Sequence, residues 1–114
     1  MNLFKKLFKR KKSLKNIFDE SSMIDINPLD KHRINLNIQG KNNVIKIKSL
    51  SEKMLCTIDI SIYGDNCSVE IDENFYSTYG VHILLGVNHK NYGKINDSHL
   101  KIGKNTTIEG ARII

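Results

Sequence analysis

A short phrase occurs three times in this chain: alternating isoleucines, then Gly, a charged residue and Asn. The copies are Gly40-Lys41-Asn42, Gly64-Asp65-Asn66 and Gly103-Lys104-Asn105. Ile38, Ile62 and Ile102 stand just before them, and an aliphatic residue follows each Gly five positions on (Ile45, Val69 and Ile108). A repeated unit of this kind predicts stacking, because one copy cannot bury its apolar face except against the next.

Between the phrases, apolar residues alternate with polar ones. Ile34, Leu36 and Ile38 share one face, as do Cys56, Ile58, Ile60 and Ile62. Val69 with Ile71, Val81 with Ile83 and Leu85, and Leu100 with Ile102 continue the pattern. A period of two is that of a strand with one buried face. The fold class read from this is all-β. Asn-Gly hairpin turns, which a sandwich would need, do not occur. The phrase therefore reads as the corner between strands of a parallel β-helix solenoid, with Gly supplying positive φ and Asn satisfying backbone groups. The copies lie 24 and then 39 residues apart, which implies an interruption. The stretch 72–94, with Phe75, Tyr76, Tyr79 and Tyr92, is expected to leave the regular coil and plug back onto it through its aromatics.

The net charge of +6 is unevenly placed. Residues 1–18 hold seven basic groups and no acid, leaving eleven basic against twelve acidic residues in the rest. Within that segment Leu3, Phe4, Leu7, Phe8, Leu14, Ile17 and Phe18 recur at helical spacing, opposite Lys5, Lys6, Lys9 and Lys12. The organisation expected is a basic amphipathic helix over 1–20, a linker over 21–33 and a repeat domain over 34–114. An anionic membrane surface is the first occupant such a face suits, with Phe4, Leu7 and Phe8 in the acyl boundary and Lys5, Lys9 and Lys12 on head groups. Docking on the chain's own body or on another subunit is the second. Nucleic acid is the weakest and is not expected, since no aromatic platform accompanies the charge.

Cys56 and Cys67 have no CxxC spacing and read as reduced structural thiols, so neither a metal site nor a disulfide framework is expected. No apolar run approaches the roughly 20 residues that span a bilayer. Burying one Ile contributes about 1.5–3 kcal/mol, while ordering each residue's backbone costs about 1–2 kcal/mol. The chain alone is therefore expected to be marginally stable or prone to aggregate.

Leu36 to Asn43, Ile60 to Cys67 and Leu100 to Ile108 resemble the hexapeptide-repeat acyltransferases, in particular the sugar O-acetyltransferases of capsule, exopolysaccharide and lipopolysaccharide synthesis. The resemblance covers roughly 34–114. It implies a left-handed winding, a homotrimer, acetyl-CoA as co-substrate, a sugar or polysaccharide hydroxyl as acceptor, and a His general base. It also implies a cytoplasmic protein, peripheral on the inner face of the membrane if the basic segment anchors it. Asp97-Ser98-His99 matches the family's Asp-Gly/Ser-His triplet. His99 nevertheless leads straight into the regular strand pattern of Leu100 to Gly103, which favours a surface residue over the base. His32, His82 and His89 have no stronger claim. The sequence reaches Ile114 in what reads as mid-strand, so the expectation is the N-terminal portion of such an enzyme, without its catalytic coils. A non-catalytic β-helix module is the alternative.

Overall fold

The computed structural model describes residues 16–86 and 93–114. Eleven strands and one short 3-10 helix make up its regular structure, and all strand pairing is parallel. The first sheet takes β1 (Asn16–Phe18), β3 (Ile34–Ile38), β5 (Ile58–Ile62), β8 (Val81–Leu85) and β11 (Ala111–Ile113), in that spatial order. The second takes β2 (Met23–Ile26), β4 (Val44–Ile47), β6 (Ser68–Ile71) and β9 (His99–Ile102). A narrow third side pairs β7 (Tyr76–Ser77) with β10 (Thr107–Ile108), extended by a bridge from Leu50 to Phe75. The chain visits the three sides in turn and returns beside the strand it left. Parallel neighbours require such a crossover, and here the other two sides of the coil provide it.

Register makes the core. Ile34, Ile58 and Val81 stack in one row, Leu36, Ile60 and Ile83 in the next, and Ile38, Ile62 and Leu85 in a third. The second sheet answers with Ile45 over Val69 and Ile47 over Ile71. All these side chains are buried. Phe75 and Met54 fill the third side. Because the sheet winds on itself, each inner face covers another inner face and the outer faces stay polar. This accounts for the alternation in strands that would otherwise be buried on both sides.

The corners correct the expected division of labour between Gly and Asn. Asn42, Asn66 and Asn105 take the positive φ, at 57°, 55° and 57°, joined by Asn74 at 61° and Asp97 at 59°. Asn and Asp tolerate this region better than other side chains. Gly40 and Gly64 are needed for close approach instead. A Cβ on Gly40 would lie 1.8 Å from the Gly64 carbonyl oxygen, and one on Gly64 would lie 1.9 Å from that of Ile95.

Hydrogen bonds show which corners correspond. Asn66 N–H donates to the Lys41 carbonyl, Asp97 N–H to that of Asp65 and Asn105 N–H to that of Glu73, each at 2.9 Å. Asn42, Asn66 and Asp97 therefore form one stack, between the first and second sheets. Asn74 and Asn105 form another, between the second and third sides. The third copy of the phrase thus sits on a different corner from the first two, and the spacing of 39 is one long coil plus one side. Gly86, with φ of 65°, ends β8 where Gly40 and Gly64 end β3 and β5.

Two further expectations change. Much of 72–94 is regular coil rather than an excursion, since β7 and β8 lie in register there and Phe75 is core. The sequence hides this because β7 is only two residues long and the corner before it, Asp72 to Asn74, has no Gly. The longest coil, from Val81 to Ala111, is the one that contains 87–92, outside the described residues. Residues 16–18, counted as the end of the helix, are strand β1, which takes its backbone partners from β3. Over three residues, periods of 2 and 3.6 cannot be told apart. The remainder of the expected helix, 1–15, lies outside the described residues. The expected linker holds β2 and the 3-10 helix Pro28–Arg33, which complete the first coil.

Candidate functional site

The outer face of the second sheet carries aligned rows of polar and charged residues. Outward residues fall into register rows, with Met23, Val44, Ser68 and His99 in one. Asp25, Lys46, Glu70 and Lys101 form the next. The second row alternates in sign across four strands, so each charge has opposite neighbours along the ladder. Lys48 and Asp72 continue it as an ion pair at 3.5 Å. The Asp72 carboxyl is held below its ordinary range, first by the Glu73 backbone N–H at 2.7 Å and then by Lys48. A depression of about 200 Å³ lies over Lys46, Lys48, Glu70, Asp72 and Lys101.

His99 opens β9, with its ring exposed and Nδ1 2.7 Å from Ser68 Oγ. Sequence reading missed Ser68, because the two are 31 residues apart and only the register joins them. The triplet does not act as a unit. Asp97 is the positive-φ corner residue, the Ser98 carbonyl accepts from Ser68 N–H at 3.0 Å, and His99 bonds to Ser68. A Ser–His pair works as nucleophile and base when a third group orients the ring and donors await the oxyanion. Among the described residues no hydrogen bond joins Asp97 to His99.

The corner beside this face turns on Asp65. Its carboxylate accepts from Lys94 Nζ at 2.7 Å and from Lys41 N–H at 2.8 Å, while Asp65 N–H donates to Asn96 Oδ1 at 2.8 Å. The Lys94 contact, then the Lys41 amide, holds the Asp65 carboxyl below its ordinary range. One side chain thereby ties three successive coils. Beneath it Asn43 is fully buried, donating to the Gly64 carbonyl at 3.0 Å and accepting from Cys67 N–H at 2.7 Å. Cys67 is buried and free, and Cys56 is half-buried and free.

The other histidines stand apart. His82 occupies an outer row of the first sheet between Asp59 and Arg112, and His32 is exposed on the 3-10 helix. His89 lies outside the described residues, as do the expected membrane-contacting residues Phe4, Lys5, Leu7, Phe8, Lys9 and Lys12. The corner residues Gly40, Asn42, Gly64, Asn66, Gly103 and Asn105 all lie at corners, with the roles given above. Among the described residues no helix is long and apolar enough to cross a membrane, and no group of three or more His, Cys, Asp or Glu could hold a metal ion.

The depression over Lys46 and Lys101 is smaller than the roughly 300–1,000 Å³ of ordinary ligand pockets. Comparisons with protein-family models, curated proteins and solved structures found no significant match.

Proposed function

We propose that this chain is the wound scaffold of a sugar O-acetyltransferase of the hexapeptide-repeat type, acting in surface polysaccharide synthesis with acetyl-CoA as donor. The winding is left-handed in this reading, as the resemblance implies, and the acetyl-transfer residues lie outside the coils described here. The observation that supports it is the stacking of aliphatic rows on two sheets of a three-sided parallel arrangement, with Asn at positive φ at the corners. A scaffold of this kind fixes coil spacing, so that a base on one coil and backbone donors on another can meet a thioester. His99 is not the base in this reading, since its ring is exposed, is bonded to Ser68 and lacks a carboxylate partner among the described residues.

Sequencing the gene past the Ile114 codon tests the proposal together with an assay of the chain. The expected result is further Ile-Gly-Asn coils carrying a histidine, with acetyl transfer by the extended protein and none by residues 1–114 alone. A stop codon at that point, with no acetyl-CoA binding, would leave a non-catalytic module. That second reading is favoured by the alternating charges on the outer face, which offer no concentrated anion site.

A further inference from the structure

The first coil presents an apolar end. Its inward residues Phe18, Ile24 and Ile26 line a cleft of about 490 Å³ that reaches down to Ile34 and Leu36. Phe18 is 49% exposed there, while its register partner Ile38 in the next coil is 1% exposed. Stacked repeats need such an end covered, because it leaves both apolar surface and unpaired strand edges.

Among the described residues nothing covers it. Asn16, the first of them, is itself on the wall of the cleft. The fifteen residues before it carry Leu3, Phe4, Leu7, Phe8 and Leu14 at helical spacing. Charge is complementary as well. That segment holds seven basic groups and no acid, while the first coil bears Asp19, Glu20 and Asp25 against Lys31, which shares the cleft wall with Asp25. Its Asp30 is already paired with Arg33.

We propose that the cleft is the seat of the chain's own N-terminal segment, whose Leu3, Phe4, Leu7 and Phe8 cap the first coil. Tethering at Asn16 gives the segment an effective concentration in the millimolar range, so it reaches the cleft ahead of a free partner. Its lysines then stay in water or face the acidic rim. The same side chains cannot enter a bilayer while seated.

The test uses the full 114-residue chain. Phe4→Asp/Phe8→Asp is expected to lower the melting temperature by at least about 5 °C and to raise binding of an apolar dye. Ile24→Asp, from the cleft side, is expected to do the same, and the combined variant to fall by less than the sum, as for residues in contact. Phe8→Ala, which leaves the charges unchanged, reports the same contact if the double variant does not fold. Vesicles of phosphatidylglycerol and phosphatidylcholine are expected to carry the Ile24→Asp chain more readily than the unmodified one. Unchanged melting in the Phe8→Ala and Phe4→Asp/Phe8→Asp chains overturns the proposal, as does strict additivity with Ile24→Asp. Flotation of the unmodified chain with unchanged melting would assign the segment to a membrane surface instead.

Discussion

Gly40 and Gly64 stack so closely that a Cβ on the first would lie 1.8 Å from the carbonyl oxygen of the second. The obstacle is backbone, which cannot swing aside. Gly40→Ala and Gly64→Ala should therefore each destabilise by at least about 1–3 kcal/mol, the usual cost of overpacking. Gly103 meets nothing within 4 Å, so Gly103→Ala should stay within about 0.5 kcal/mol of the unmodified chain. Urea melts of the three variants check this. Equal losses at all three would show that the phrase acts alike at both corners, against the structure.

Asn43 is a polar side chain with no exposure, serving the Gly64 carbonyl and the Cys67 amide at once. Asn43→Ala strands both backbone groups in the interior, at about 1–3 kcal/mol for each unsatisfied group. The expected outcome is a loss larger than that at exposed Asn42, measured by chemical denaturation. A loss below that of Asn42→Ala would mean water takes over both bonds.

Asp30 and Arg33 join the 3-10 helix to the third side of the next coil. Asp30 is buried and accepts from Leu50 N–H at 3.0 Å, while Arg33 donates to Asp30 and to the Ser51 and Met54 carbonyls, each carbonyl at 2.7 Å. Removing one partner leaves a buried charge alone. Asp30→Ala should cost about 3–5 kcal/mol. The double variant Asp30→Ala/Arg33→Met should recover part of that loss, and a double-mutant cycle reads the difference.

Acid should weaken the chain through its corner carboxylates. Asp19, Asp65 and Asp72 are all held below the ordinary 3.8 in the fold: Asp19 chiefly by the Ser21 hydroxyl, Asp65 by Lys94, and Asp72 by the Glu73 amide. A depressed carboxyl contributes stability that is fully present above its unfolded value. That contribution is lost as pH falls through the lowered folded value. Stability should therefore be flat in these groups above about pH 5 and fall below about pH 4. Asp65→Asn should lessen the fall, as followed by melting temperature against pH. An unchanged acid limb in that variant would remove Asp65 as a contributor.

The inward face of most strands is legible in the sequence alone. Alternation is a local property, so Ile34, Leu36, Ile58, Ile60 and Ile83 could be assigned to the core without knowing what they touch. The parallel stacking followed from the repeated phrase for the same reason. The rest depends on contacts between residues 20 to 32 apart. Gly40 and Gly64 serve close approach rather than positive φ because the next coil's carbonyl lies where their Cβ would be, and no local pattern contains that carbonyl. Asp97 belongs with Asn42 and Asn66, and Gly103 does not belong with Gly40, because cross-coil hydrogen bonds set the register. Ser68 meets His99 by the same register. Strand β1 exists because β3 offers it an edge, whereas its own three residues carry no distinguishing period. The inward face is written residue by residue, but the register of coil on coil is a property of the whole winding.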